Sequence, residues 1–175
     1  MSLRLSRAAL MAALLVLSLG LVACDSNDPV VSANIVATAQ ADPELSVLVQ
    51  AVTAANLGST LSSADANLTV FAPTNAAFAA LAQQLGVTQA QLLARADLGN
   101  ILLYHVAAGR LRADDLTQGR TVQTQLSGRS VTVVRTGGTV GLDTNGDGTA
   151  DSRVTTANIE ASNGVIHKID AVLVP

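Results

Sequence analysis

The pattern of apolar residues changes once along this 175-residue chain, and the change limits the folds open to it. Before about residue 105, apolar residues recur at the spacing of amphipathic helices, most clearly at Leu45, Leu48 and Val52. From Thr121 onward, apolar and polar residues alternate in short runs separated by pairs such as Ser-Gly and Asn-Gly, as in strands joined by tight turns. Because helices precede strands instead of alternating with them, we predict an α+β fold of short antiparallel strands with helices packed on one side.

Capping residues mark the ends of the predicted helices. Asp42 followed by Pro43 predicts a helix start, because the aspartate can cap free N–H groups and the proline fixes a helical φ. Gly58 is the predicted end of that helix. Three further residues are predicted N-caps: Thr74, Thr88 and Asp97.

The first 23 residues predict an export signal. Arg4 and Arg7 precede an uncharged run, residues 8–23, which is short for a membrane span of roughly 20 residues but typical of a signal peptide. The run ends in "LVAC", residues 21–24, which resembles the lipobox of bacterial lipoprotein precursors. That resemblance implies cleavage before Cys24, acylation of this only cysteine, and a lipid anchor in a membrane of the bacterial cell envelope, with the protein facing the periplasm or the exterior.

The remaining chain divides into the cysteine to be acylated followed by a short polar tether, together residues 24–33, and a single domain, residues 34–175. Without Arg4 and Arg7, eight of the ten basic residues remain against 13 acidic ones, a net charge of −5. Nucleic acids and anionic lipid surfaces are bound through basic patches, and bases are stacked on aromatic side chains, which are scarce here. We therefore expect no nucleic-acid partner.

Candidates for catalysis are few. The two histidines, His105 and His167, are the only side chains that titrate near neutrality. Ser162, His167 and Asp170 could supply a Ser-His-Asp triad, which keeps a hydrolase open as the less favoured alternative. Ser162 lies beside an ordinary Asn-Gly turn without a G-x-S-x-G elbow, and His167 alternates with apolar strand residues as a structural histidine does. We therefore predict that the protein is not an enzyme.

The stretch "GLDTNGDGTADSRV", residues 141–154, is the densest in carboxylates and glycines. It resembles Asp-x-Asn-x-Asp-Gly calcium loops, with ligands at positions one, three, five, seven (a carbonyl) and nine: Asp143, Asn145, Asp147, Thr149 and Asp151. Position twelve is Val154 instead of a bidentate glutamate. We predict a weak structural calcium site, with a Kd on the order of 10⁻⁴ to 10⁻³ M. The alternative is a pair of tight turns, and the sequence leaves both open.

Three separated stretches of the chain carry recognisable motifs: "TVFAPTNAAF" (69–78), "LLYHVAAG" (102–109) and "NGVIHKIDAVLVP" (163–175). Together they resemble the fasciclin (FAS1, beta-Ig-H3) domain family. The first and third match that family's two signature motifs, and the second matches its Tyr-His motif. The resemblance implies a β-sandwich or wedge with helices packed on it, in secreted and membrane-anchored proteins that mediate adhesion and are not generally enzymes. From the residues themselves, Asn163-Gly164 is expected to supply the positive φ values of a hairpin turn.

The resemblance also implies candidate adhesion residues. In that family the Tyr-His pair, here Tyr104 and His105, is linked with cell-surface recognition; the alternative is that the pair supports the fold. Animal members carry an acidic-aliphatic pair before the last hairpin, where this chain has Asn158-Ile159, so integrin binding is not expected.

The sequence therefore predicts a surface lipoprotein that presents one FAS1 domain for cell adhesion or contact with extracellular matrix. Its expected partners are surface proteins or polysaccharides, together with the membrane that holds Cys24. The alternative from another class is a carrier of an apolar ligand, a lipid or a pigment, in the envelope.

Overall fold

The computed structural model describes residues 33–175. The predicted signal peptide, residues 1–23, Cys24 and all but the last residue of the tether lie outside the described residues, so those assignments stay predictions. None of the helices in residues 33–175 has both the length and the apolar character needed to span a membrane.

Six short α-helices and seven strands make up the described chain. The helices are α1 (Ile35–Gln40), α2 (Ser46–Ala54), α3 (Gly58–Ser62), α4 (Asn75–Leu85), α5 (Gln89–Leu93) and α6 (Leu98–Tyr104), with a 3-10 turn at Pro43–Leu45 before α2. The strands are β1 (Leu68–Pro73), β2 (Val106–Ala108), β3 (Thr121–Gln123), β4 (Ser130–Thr136), β5 (Thr139–Asp143), β6 (Ser152–Ala161) and β7 (Gly164–Ile169). This composition confirms the predicted α+β class.

The strands form one sheet in the order β2-β1-β7-β6-β5-β4-β3. Its two ends meet, because Ala107 on β2 forms a bridge with Thr124, and the N–H of Gln125 donates to the carbonyl of Val106 at 2.7 Å. The result is a near-barrel. Six of the strand contacts are antiparallel as predicted, counting this bridge, but β1 and β7 pair in parallel.

Two apolar clusters lie on opposite faces of the central strands. On β1, Val70 and Ala72 pack against the helices, while Phe71 points into the barrel among residues of β4 and β5. Successive side chains of a strand point to opposite faces, so one strand serves both clusters. This two-sided burial explains why β1 and β7 are buried at every position.

The predicted caps are mostly confirmed. Thr74 Oγ1 accepts from Ala77 N–H at 3.4 Å, Thr88 forms a full capping box, and Asp42 caps the 3-10 turn. The prediction for Asp97 is wrong: its carboxylate does not cap α6 but pairs with Arg95 at 2.6 Å. Gly58 does not end α2 either. It begins α3, and the chain turns at Asn56 with φ +56°.

The prediction that Asn163-Gly164 supplies positive φ values to the hairpin turn is wrong, because neither residue has a positive φ. A Cβ on Gly164 would lie 2.2 Å from the carbonyl oxygen of Leu68, so close packing requires the glycine. The buried Asn163 side chain accepts from Ile35 N–H at 2.9 Å and donates to Leu61 O at 2.8 Å. The pair therefore joins α1 and α3 to the sheet.

Two segments of the second half differ from the predicted strands. Residues 106–108 form β2, which the sequence did not predict. The last five residues, predicted as a strand, form no strand. Leu173 N–H donates instead to a ring nitrogen of His105, 2.9 Å away, and the Leu173 side chain is buried in the barrel cluster.

Candidate functional site

Tyr104 and His105, the candidate adhesion pair, are each only 1% exposed. The Tyr104 hydroxyl donates to Ser130 O at 3.2 Å, and burial raises the pKa of that hydroxyl. His105 donates from Nδ1 to Ile101 O at 2.7 Å, and its Nε2 accepts from Leu173 N–H. Burial lowers the pKa of His105 to about 4, so the ring is neutral at physiological pH. Neither side chain is offered to a partner at the surface, and their contacts favour the alternative that they support the fold.

His167 is fully buried and stacks on Phe71, with ring centroids 5.8 Å apart. Its Nε2 donates to Leu111 O at 2.8 Å, and its Nδ1 accepts from Asn158 N–H at 3.3 Å. Burial lowers the pKa of this histidine too. A general base needs a free ring nitrogen within reach of the proton it removes, and both nitrogens of His167 are occupied by backbone groups.

The other members of the hypothetical triad do not meet His167. Asp170 accepts from Arg153 N–H at 2.7 Å and from the Ser152 hydroxyl at 3.3 Å. Ser162 is exposed in the β6–β7 turn. The described residues therefore do not assemble Ser162, His167 and Asp170 into a nucleophile, base and orienting acid.

The hypothetical calcium loop between β5 and β6 is held by hydrogen bonds of its own. Asp143 is 2% exposed, and its carboxylate accepts from the N–H groups of Asn145, Gly146 and Gly148 at 3.0, 2.6 and 2.9 Å. Asp151 Oδ2 accepts from both the N–H and the hydroxyl of Thr144 at 2.7 Å. These bonds are those of a tight, well-capped turn.

The remaining donors of that loop show the same arrangement. Asp147 Oδ1 accepts from the hydroxyl and the N–H of Thr149, and these bonds lower the pKa of Asp147. The amide nitrogen of Asn145 lies 3.2 Å from Asp147 Oδ2 and 3.4 Å from Asp151 Oδ1. Within residues 33–175, no three acidic, histidine or cysteine side chains are arranged to hold a metal ion. Calcium binding stays a prediction, and it requires Asn145 to present its oxygen where its nitrogen now lies.

Buried polar residues of the two signature stretches meet at one segment, residues 109–116, called here the 109–116 loop. Thr69 on β1 is fully buried, and its hydroxyl donates to Gly109 O at 2.6 Å and accepts from Leu111 N–H at 2.8 Å. His167 on β7 donates to the carbonyl of the same Leu111. Sequence analysis did not identify Thr69, although a threonine between apolar strand residues is a signal of an inward polar contact.

The second half of β6 and the residue after it hold the same loop from outside. Asn158 has φ +60°, a conformation that asparagine tolerates better than most residues, and its Oδ1 accepts from Ala113 N–H at 2.8 Å. Arg110 donates to the carbonyls of Ser162 and Ala161 at 3.0 and 2.9 Å. Ile159, the aliphatic partner of Asn158, is half-buried against the helices. The Asn158-Ile159 pair therefore fixes a loop and one edge of the core.

The apolar cavity between α1, α2, α3 and the sheet bears on the carrier hypothesis. Its walls are almost entirely aliphatic, and its volume is about 30 Å³. Pockets for drug-sized ligands measure roughly 300–1,000 Å³. A lipid or a pigment therefore does not fit this cavity as it stands.

A protein family and several known proteins are similar to this chain. The Fasciclin domain family matches residues 43–175. Protein sll1483 of Synechocystis sp. is 39% identical over 143 residues, 81% of this chain and 73% of its own length. Immunogenic protein MPB70 of Mycobacterium bovis is 36% identical over 156 residues, 86% of this chain and 70% of its own length.

A solved structure supports the fold. It is that of a FAS1 domain pair from the insect cell adhesion molecule fasciclin I, with a TM-score of 0.70 and 19% identity. The match covers 82% of this chain and 51% of the insect chain, so the present protein spans about half of that pair. At this identity the likeness establishes the architecture of the near-barrel with its packed helices.

Proposed function

The chain belongs to the fasciclin domain family, and from that premise we propose that it presents a single FAS1 domain at the cell surface for adhesion, through contact with matrix polysaccharides or surface proteins. The insect protein that shares its fold, fasciclin I, is a cell adhesion molecule. The observation that carries the proposal is the state of the two histidines. Both are buried, and both nitrogens of each ring are hydrogen-bonded to backbone groups. Neither ring has a nitrogen free to act as a general acid or base, which favours a binding role over histidine-dependent catalysis.

The proposal includes a lipid anchor at Cys24, supported by the "LVAC" sequence at the end of the apolar run. A tether of nine residues, 25–33, extends to at most about 30 Å, because a fully extended residue spans about 3.3–3.6 Å. The domain would then stay close to the membrane that carries it, in the cell envelope. An adhesive domain needs such an anchor to transmit its contact to the cell.

Cells that express the native chain, a deletion strain and a strain with Cys24→Ser test this proposal. Retention of washed cells on surfaces coated with envelope polysaccharide or surface protein is the measurement. We expect retention with the native chain only, because the Cys24→Ser protein would be released or left unprocessed. Equal retention of the native and deletion strains on every surface contradicts an adhesive role.

The purified native chain, added to cells of the native strain, is the control for that experiment. It should occupy the coated surface and compete with cells that carry the anchored protein. Competition by the purified chain together with normal retention of Cys24→Ser cells would contradict the anchor and leave the binding role standing.

A further inference from the structure

The arginines of this acidic domain are unevenly distributed. Residues 33–175 carry eight basic and 11 acidic side chains, yet five of the basic ones are arginines between positions 110 and 135. Four of these five either belong to the 109–116 loop or donate hydrogen bonds to it. They are called here the arginine patch: Arg110, Arg112, Arg120 and Arg135. Three carboxylates lie on or beside the same loop, those of Asp114, Asp115 and Glu160, so the four guanidinium groups leave a small local excess of positive charge on a protein of negative net charge.

Two members of the patch share one carboxylate. Arg110 Nη2 lies 3.0 Å from Glu160 Oε2, and Arg112 Nη2 lies 2.8 Å from Glu160 Oε1. The Arg112 side chain is nevertheless 63% exposed. One glutamate thus faces two guanidinium groups.

The other two members bond to carbonyls of the same turn. Arg120 Nη1 donates to Asp115 O at 2.6 Å, and Arg135 Nη2 donates to Ala113 O at 2.9 Å. Both residues are exposed, and within residues 33–175 neither has a carboxylate oxygen within 4.0 Å. A guanidinium carries five N–H donors, so a single bond to a carbonyl fixes the group and leaves donors for a ligand.

The 109–116 loop beneath the patch is held by buried residues. Thr69 and His167, both fully buried, hold the Leu111 backbone from inside, and the side chain of Leu116 is buried in the barrel cluster. A cationic surface held in place before binding loses less conformational entropy when a ligand arrives. The buried polar residues of the signature stretches therefore position the loop that gathers the arginines.

The chemistry of the patch selects one class of ligand. Guanidinium forks match carboxylate and sulfate groups in paired hydrogen bonds, which a lysine ammonium does not. The two arginines without carboxylate partners, with Arg112 on the loop that they contact, suit anionic groups repeated along a chain. Nucleic acid is disfavoured because the domain has few aromatic side chains for stacking and a negative net charge.

We propose that the arginine patch binds an acidic polysaccharide through its carboxylate or sulfate groups. This inference rests on the proposed adhesive function and names the class of its partner. The contact is short-range, since the net charge of the protein repels a polyanion at distance. It should weaken with added salt, as contacts between exposed charges do.

The test measures binding of the full-length chain, purified in detergent, to immobilised alginate, dextran sulfate and uncharged dextran. Arg120→Gln with Arg135→Gln removes the two guanidinium groups that lack carboxylate partners. The matched control, Arg95→Gln with Arg129→Gln, changes the charge equally. Arg129 precedes the start of β4 while Arg135 lies near its end, roughly 20 Å away at 3.3 Å per residue.

We expect the patch variant to lose at least about tenfold in affinity for the acidic polysaccharides, since a hydrogen bond to a charged group contributes that much. The control variant should stay within about twofold, because Arg95 pairs with Asp97 and neither Arg95 nor Arg129 is hydrogen-bonded through its side chain to the 109–116 loop. Preference for alginate over dextran sulfate assigns the site to carboxylates, and the reverse preference assigns it to sulfates. Equal loss in both variants, or equal binding to uncharged dextran, overturns the inference.

Two further measurements keep the result interpretable. Arg120→Lys with Arg135→Lys keeps the charge without the fork, so recovery of only part of the affinity supports the paired geometry. The unfolding curve of the Gln variant should match that of the native chain, which shows that its loss of binding is not a loss of folding. If cells with the Gln variant still adhere as the native cells do, the partner is not acidic polysaccharide while the adhesive function stands. If native cells do not adhere although the purified chain binds alginate through the patch, the adhesive function fails and the site stands.

Discussion

Replacing His105 by glutamine should remove a large part of the acid sensitivity of this fold. In the folded protein the pKa of His105 is about 4, because the ring is buried, against its ordinary value of 6.5. Below pH 6.5 the unfolded chain binds a proton at this residue that the folded chain does not. Its stabilising contribution is therefore complete above pH 6.5 and is lost as the pH falls toward 4.

The size of this loss follows from the pKa difference. At about 1.4 kcal/mol per tenfold change, lowering the pKa from 6.5 to about 4 corresponds to roughly 3 kcal/mol of unfolding free energy. Domains of this size have total stabilities of about 5–15 kcal/mol, so the loss is measurable. His167 acts in the same direction, since burial lowers its pKa as well.

Urea unfolding of residues 25–175 at pH 7.5, 6.5, 5 and 4 measures the effect. Glutamine has an amide NH2 group that donates and a carbonyl oxygen that accepts, but it does not titrate. His105→Gln should be less stable than the native chain at pH 7.5, because it cannot reproduce both bonds and the packing of the ring. Between pH 6.5 and 4, the difference between the two proteins should shrink by roughly 3 kcal/mol.

Subtraction of the two curves removes the contributions of carboxylates, which both proteins share. Parallel curves for the native chain and His105→Gln between pH 6.5 and 4 would refute the reasoning. They would mean that the protonated ring is accommodated without separating Leu173 from α6. His167→Gln provides the companion measurement for the second buried ring.

Three further predictions concern other parts of the chain. Gly164→Ala should lower the free energy of unfolding in urea by about 1–3 kcal/mol or more, as overpacking does, because the new Cβ would lie 2.2 Å from Leu68 O. Its control is Gly99→Ala in α6, where the new Cβ meets open space, and this change should be neutral or slightly stabilising. Cys24→Ser should yield unprocessed or soluble protein, whereas the native chain should partition into detergent with its acyl chains; an underivatised Cys24 in mass spectra of mature protein contradicts the anchor. Millimolar calcium should raise the Tm of the native domain relative to chelator but not that of Asp147→Ala, and identical curves in all four conditions would mean that residues 143–151 form only a turn.

Local sequence signals accounted for the elements that depend on neighbouring residues. The caps at Thr74 and Thr88 form as predicted, because a threonine reaches N–H groups two or three residues ahead whatever the rest of the chain does. The strands after Thr121 form where apolar and polar residues alternate, because that alternation is also a signal between neighbouring residues. At Asp97 the local signal failed, because Arg95 offers the carboxylate a charged partner that competes with the helix N–H groups.

Contacts between distant residues decided the rest. The parallel pairing of β1 with β7 joins residues such as Phe71 and His167, which are 96 positions apart, and no local pattern encodes that neighbour. The same pairing brings Thr69 and His167 to the 109–116 loop.

By itself, then, the sequence determined the α+β class, most element positions, the family and the predicted anchor, since each depends on residues close together or on motifs in order. Tertiary structure alone decided that Tyr104 and His105 are buried, that Gly164 is required by close packing, and that four arginines gather on one loop. The physical reason is that exposure and proximity are properties of the packed chain: a side chain is hidden or presented by whichever distant segment covers it.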